Sequence, residues 1–170
     1  LRANVNLAYD YVNGGGSIFV PQSSAIAFNQ QNGGGVDNSY DSESYNTLLE
    51  TYLNYKESFG IHDFDIMGGY SWQRFFWESS FRNSNVAGTP TETMEDSNKE
   101  ELYLVSLFGR INYNMNDRVF TTFTLRRDGT SRFSPESRWG LFPAASVAVK
   151  VIDNDNKYLN NLKVRAGWGV

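Results

Sequence analysis

The chain has 170 residues, of which 40% are hydrophobic and 15% aromatic, with ten Tyr, twelve Phe, four Trp and fifteen Gly; its formal charge is −4. That acidic balance, with no basic run longer than Arg126-Arg127, argues against a nucleic-acid partner. The absence of cysteine removes disulfide and thiolate chemistry, and no run of about 18 apolar residues offers a helical membrane span. So many rings beside a negative mean hydropathy of −0.48 suit a membrane barrel wall, where every second strand residue meets lipid and rings crowd both interfaces. They suit a Tyr-rich β-sandwich as well.

Strict apolar–polar alternation, the mark of a two-faced strand, begins at the first residue. Leu1, Ala3, Val5, Leu7, Tyr9 and Tyr11 share one side, and Arg2, Asn4, Asn6, Ala8 and Asp10 the other. Residues 12–42 keep no period and contain Asn13-Gly14-Gly15-Gly16 and Asn32-Gly33-Gly34-Gly35, so they read as loop. Further strands are expected over 45–56, 63–78, 101–114, 119–127 and 138–152, and a last one from 161. In the fourth, Tyr103, Val105, Leu107, Gly109, Ile111 and Tyr113 oppose Ser106, Arg110, Asn112 and Asn114. The sixth sets Trp139, Leu141, Ala145, Val147, Val149 and Val151 against Gly140, Ser146 and Lys150, and the seventh sets Leu162, Val164, Ala166 and Trp168 against Lys163, Arg165 and Gly167. Met115-Asn116-Asp117-Arg118 reads as a tight turn, because Asn and Asp tolerate the backbone angles it needs.

The expected connections run long, short, long, short, medium, short. Antiparallel strands must alternate sides, and bacterial outer-membrane barrels have short periplasmic turns and longer outer loops. The pattern puts 12–42, 79–100 and 128–137 outside, and 57–62, 115–118 and 153–161 in the periplasm. Tyr9, Tyr11, Tyr45, Phe76, Trp77, Tyr103 and Trp139 then fall near the outer ends, and Tyr55, Phe59, Phe64, Tyr113 and Phe120 near the inner ends, where amphipathic rings sit well at headgroup level. The expected architecture is all-β: about seven antiparallel transmembrane strands of a larger barrel. Leu1 lacks Met or a signal peptide and Val170 lies inside an apparent strand, so a piece of a longer chain is expected.

Three segments carry a resemblance. Gly109-Arg110-Ile111-Asn112-Tyr113-Asn114 through Asp117-Arg118, Leu125-Arg126-Arg127-Asp128-Gly129-Thr130-Ser131-Arg132-Phe133, and Arg138-Trp139-Gly140-Leu141-Phe142-Pro143-Ala144-Ala145-Ser146 closely resemble the SusC/RagA family of TonB-linked outer-membrane transporters. The closing Leu162–Val170 stretch looks like the family's next strand, and Tyr52–Tyr55, Phe59–His62 and Gly68–Ser71 are similar but less specific. The match covers residues 45–170. It implies a 22-stranded barrel with a plugged lumen. Residues 1–170 would then be a partial transporter barrel, with the plug, the TonB-contacting segment and the other strands outside it. The resemblance further implies a SusD-like surface lipoprotein, TonB, outer-membrane lipid, and a glycan or peptide substrate as partners. A soluble β-sandwich binding module or adhesin domain is the alternative from a different class.

No catalytic residue, metal site or cofactor is expected. His62, the single histidine, lies in a short turn beside Asp63 and Asp65; a metal site would need further ligands and a triad an oriented nucleophile, so it reads as a solvated turn residue. Asp153-Asn154-Asp155-Asn156 would need a Glu at the twelfth calcium-loop position, where Val164 stands. The glycine stretches lack the strand-to-helix context of a phosphate loop, and the loop carboxylates Asp37, Asp41, Glu43, Glu92, Glu95 and Asp96 suit solubility better than a rigid catalytic pair. Loop stiffening by a bound Ca2+ stays open.

If Val105, Ile111, Val147 and Val164 face lipid, then Arg110, Asn112, Lys150, Lys163 and Arg165 face the lumen, since Lys or Arg on the lipid side near midplane costs about 2–4 kcal/mol. Arg127, Asp128, Arg132, Phe133 and Arg138 are the candidate rim residues. They either touch substrate or partner, or they shape a loop, with Asp128-Gly129 setting a turn while Arg132 and Arg138 pair with carboxylates. The shaping role is the expected one.

Overall fold

The structure, a computed structural model, describes residues 1–25, 34–88, 94–153 and 161–170. Their regular elements are seven β-strands: β1 Arg2–Val20, β2 Val36–Phe59, β3 His62–Asn83, β4 Met94–Met115, β5 Val119–Thr130, β6 Trp139–Asp153 and β7 Asn161–Gly169. They hydrogen-bond in chain order as one seven-stranded sheet, in which β4–β5, β5–β6 and β6–β7 pair antiparallel. A sandwich would bury one face of such a sheet under a second. Instead Leu7, Leu107 and Val147 are 76%, 49% and 42% exposed, and the buried hydrophobic side chains among the described residues are Val36 and Phe76.

Contacts divide the chain into two units. One holds Leu1–Ala8, Leu48–Gln73 and Tyr103–Val170; the other holds Tyr9–Thr47 and Arg74–Leu102. The first unit contains the tight turns. Gly60-Ile61 joins β2 to β3, with Gly60 at φ 62°, and Asn116-Asp117-Arg118 joins β4 to β5 with Asn116 and Asp117 both at φ 51°. These are the left-handed angles that Asn and Asp adopt most readily after Gly. The turn is tied to its neighbours by Asn116 N–H on the Ile61 carbonyl (2.7 Å) and Lys150 N–H on the Arg118 carbonyl (2.8 Å). His62 departs from the solvated reading. Its Nδ1 is 2.7 Å from the Tyr113 hydroxyl, the rings stack at 5.9 Å, and Phe64 packs on Tyr113 at 5.0 Å. In an antiparallel sheet, rings on neighbouring strands are within reach of each other whatever their turn position.

The second unit overturns two expected loops. The stretch 12–42 is strand as far as Val20 and again from Val36, and 79–100 is strand to Asn83 and from Met94. Ladder hydrogen bonds need no hydrophobic period, and here both sides of the strands are polar, so alternation gave no signal. Gly14-Gly15-Gly16 is part of β1, where the missing side chains let β2 come close. A Cβ on Gly16 would lie 2.6 Å from the Tyr40 hydroxyl, and one on Gly15 would lie 2.5 Å from the Asp41 carboxylate. Charges pair across the strands: Arg82 Nε with Glu95 (3.2 Å), Lys99 with Glu78 (4.0 Å), and Arg74 with Glu101. Rings of Tyr9, Tyr45 and Phe76 stack in a row at 6.3 and 4.4 Å, with Lys99 Nζ 4.9 Å above Phe76. At the strand ends Asp37 N–H donates to the Ser84 carbonyl (2.8 Å), Ala87 N–H donates to the Gly34 carbonyl (3.2 Å), and Asn38 Oδ1 accepts from Ser84 N–H (3.1 Å). Residues 26–33, 89–93 and 154–160, which include Asn32-Gly33, Glu92 and most of the Asp153–Asn156 turn, lie outside the described residues.

Candidate functional site

Cross-strand partners share a face, so the registers of β4–β7 divide these strands into two surfaces. One carries Leu107, Ile111, Phe123, Leu125, Leu141, Ala145, Val147, Val149, Val164, Ala166 and Trp168, through pairs such as Ile111↔Phe123, Phe123↔Ala145 and Ala145↔Trp168. The other carries Ser106, Arg110, Asn112, Thr122, Thr124, Ser146, Lys150, Lys163 and Arg165, through Arg110↔Thr124, Asn112↔Thr122, Thr122↔Ser146, Lys150↔Lys163 and Ala148↔Arg165. Arg110, Asn112, Lys150, Lys163 and Arg165 thus stand together on the polar face. Asn112 Oδ1 accepts from the Thr122 hydroxyl (2.9 Å), and Lys163 Nζ sits 3.9 Å above the Phe120 ring. The alternation is interrupted once. The register shifts between Lys150 and Ile152, so that Ile152 rather than Val151 stands opposite Leu162, a bulge that period counting does not reveal.

The rim candidates separate. Asp128 and Gly129 do not set a turn; they are strand residues of β5, opposite Gly140 and Trp139. Asp128 is on the polar face, where its two carboxylate oxygens accept from Arg126 Nε at 2.7 and 2.8 Å, while Arg126 Nη2 donates to the Ser106 hydroxyl (3.1 Å). Arg127 is on the apolar face, opposite Leu107 and Leu141, with its guanidinium 4.9 Å over the Trp139 ring. That ring in turn occupies the space over Gly129, where a Cβ would meet it at 2.9 Å. A long cationic side chain can keep its head wet while its stem runs over apolar surface.

Arg132, Phe133 and Arg138 belong to the connection between β5 and β6. That connection is pinned by Ser131 N–H on the Tyr103 carbonyl (3.0 Å), Thr130 N–H on the Arg138 carbonyl (3.1 Å), Arg132 N–H on the Thr130 hydroxyl (3.3 Å), and the Ser134 and Ser137 hydroxyls at 2.9 Å. Arg138 Nε donates to the Phe133 carbonyl (3.1 Å), so it orders the loop through backbone, in place of the carboxylate expected for it. Asp128, Phe133 and Arg138 line one hollow of about 360 Å³ with Arg126, Ser106 and Phe142.

No family model matches the sequence. It is 37% identical over 137 residues to the TonB-dependent receptor SusC of Bacteroides thetaiotaomicron, covering 74% of this chain and 14% of that protein. It is 30% identical over 199 residues to the TonB-dependent receptor P3 of Formosa agariphila, covering 99% of this chain and 19% of that one. The structure of the RagAB peptide transporter superposes on 98% of this chain and 20% of its own with a TM-score of 0.84 at 16% identity, a likeness of fold. The chain belongs to the SusC/RagA family. It spans a fifth or less of the length of these relatives, and its strands are β-barrel wall.

Within this SusC/RagA wall, the ion pair at Arg126 and the glycine seats under the rings went unread in the sequence. Arg126 and Arg127 form a basic pair in the sequence, but neighbours in a strand point to opposite faces, and it is Arg126 that meets Asp128. The available signal is the polar register itself: Phe108 and Phe142 fall in it with Arg126, and rings on the polar face, turned away from lipid, have no place in an interfacial belt.

Proposed function

We propose that the chain forms part of the wall of an outer-membrane importer that takes up oligosaccharides or peptides, is driven through TonB, and works with a SusD-like surface lipoprotein. The observation that carries this reading is the division of β4–β7 into an apolar face and a charged one, in a chain that is 37% identical to a TonB-dependent receptor. In this reading Leu107, Ile111, Val147 and Val164 meet outer-membrane lipid. Arg110, Asn112, Lys150, Lys163 and Arg165 line the lumen, and Asp128, Arg132, Phe133 and Arg138 belong to the outer rim, with Arg127 at the lipid edge of that rim. Hydrogen-bonding side chains on a water-filled interior bind and release a solute without covalent chemistry, so no catalytic residue or cofactor is required. The RagAB peptide transporter, alike in fold, supports the peptide half of the substrate range by fold alone. The reading is tested by deleting the parent gene from its Gram-negative host and measuring uptake of labelled oligosaccharides and peptides with and without a proton uncoupler. Loss of uptake of either class, reproduced by the uncoupler, is expected; unchanged uptake of both would refute it.

A further inference from the structure

The polar face carries a row of rings that the transport reading does not use. Phe108, Arg126 and Phe142 are direct register partners across β4, β5 and β6. The row continues to β3 and β2, because a Cβ on Gly69 would lie 2.6 Å from both the Phe108 ring and Tyr52 Cβ. Gly140 does for Phe142 what Gly69 does for Phe108: a Cβ there would lie 2.7 Å from the Phe142 ring. The outer end of each Phe ring therefore lies over a residue without a side chain. Phe142 remains 43% exposed. Neighbouring strands are about 4.8 Å apart, so Tyr52, Phe108 and Phe142, on alternate strands, recur every 9–10 Å or so.

Between Phe108 and Phe142 stands a polar group, Arg126. Arg126 is held by Asp128 and Ser106. Two hollows flank the row, about 630 Å³ with Glu50 and Arg110 and about 360 Å³ with Ser106 and Asp128, and both include Arg126 and Phe142. A strong anion would find Arg126 occupied. A flat apolar ring edged by hydroxyl, carboxylate and guanidinium groups instead matches a pyranose, whose C–H face is apolar and whose rim is hydroxyl. Ring faces carry partial negative charge, which favours C–H contact, and carboxylates and guanidinium groups bond hydroxyls well.

We propose that Tyr52, Phe108 and Phe142 form a stacking track for a neutral oligosaccharide, with Arg126, Asp128 and Ser106 bonding hydroxyls beside it. This rests on the importer reading and narrows its substrate to glycan. The experiment uses the full-length transporter in detergent, titrated calorimetrically with maltohexaose, cellohexaose and mannohexaose, and separately with a mixture of decapeptides. At least one hexasaccharide binds, Phe108→Ala and Phe142→Ala each raise its Kd about tenfold, the worth of one aromatic stacking contact, and Phe142→Trp restores it. Phe142→Leu, which keeps apolar bulk without a stacking face, shows the same loss if the alanine variant does not fold. The anomalous gel mobility of a folded barrel stays unchanged in every variant used. Unchanged hexasaccharide affinity in both alanine variants overturns the track, as does a loss of affinity that appears only with loss of the folded-barrel mobility. A wild-type protein that binds decapeptides and no hexasaccharide overturns the track and leaves the importer reading standing; one that binds neither counts against both.

Discussion

Val147→Arg in the full-length protein puts a number on the facing assignment. Val147 stands eight residues from Trp139 and six from Asp153, the ends of β6. At about 3.3 Å per residue these are about 26 and 20 Å of strand, or about 19 and 14 Å of depth at a 45° tilt, close to the middle of a hydrocarbon core about 30 Å thick. Its partners Thr121 and Ala166 offer no carboxylate. An arginine there costs about 2–4 kcal/mol, a shift of about 30- to 700-fold in the folding equilibrium. Ser146→Arg is the matched control, one residue away at the same depth, exposed on the polar face between Thr122 and Gly167; it should change stability by about 0.5 kcal/mol or less. Both variants are refolded into phosphatidylcholine vesicles and titrated with urea, with the heat-modifiable mobility of the barrel as readout. Equal costs at the two positions, or a larger cost at Ser146, would refute the reasoning.

Gly69→Ala should destabilise the barrel by about 1–3 kcal/mol through overpacking against Phe108, Tyr52 and the Thr51 carbonyl, measured by the same urea titration; Gly68→Ala, whose Cβ would meet nothing closer than 3.9 Å, should cost less. Replacing Asn116 and Asp117 together by Val should cost about 2–4 kcal/mol and slow refolding, because a β-branched residue resists the left-handed angles of that turn, whereas replacing both by Gly should be tolerated. Arg138→Ala should loosen the 131–138 connection by removing its bond to the Phe133 carbonyl, seen as faster amide exchange at Ser137 with no change in barrel stability.

The sequence was most legible where one strand side is apolar and the other polar. Val147 against Ser146 and Ile111 against Asn112 place themselves, and the antiparallel registers agree with that placement. It was least legible in the far portions of β1–β4. Glu95, Asp96, Lys99 and Glu100 are exposed whichever way they point, so a strand of such residues has no period to find. Glycine misled where it clustered or followed Asp. Gly14–Gly16 read as loop and Gly129 as part of a turn, while Gly69 and Gly140 read as strand; all six lie within strands, and five of them (all but Gly14) have a side chain of a neighbouring residue lying where their own Cβ would be. A one-dimensional pattern holds no record of a ring laid across another residue's missing side chain. Arg126 and Arg127 show the same limit from another side: adjacent and identical in type, one holds Asp128 on the polar face and the other stacks on Trp139 on the apolar face.

The most direct measurement is a nitroxide scan of residues 141–150 in the full-length protein reconstituted in a bilayer, one cysteine at a time, which the lack of native cysteine in this stretch permits. Leu141, Ala145, Val147 and Val149 are expected to collide mainly with lipid-soluble oxygen, and Phe142, Ala144, Ser146 and Ala148 with a water-soluble nickel chelate, in strict alternation. A flat profile, or nickel access at Val147 equal to that at Ser146, would contradict a wall with hydrocarbon on one side and water on the other.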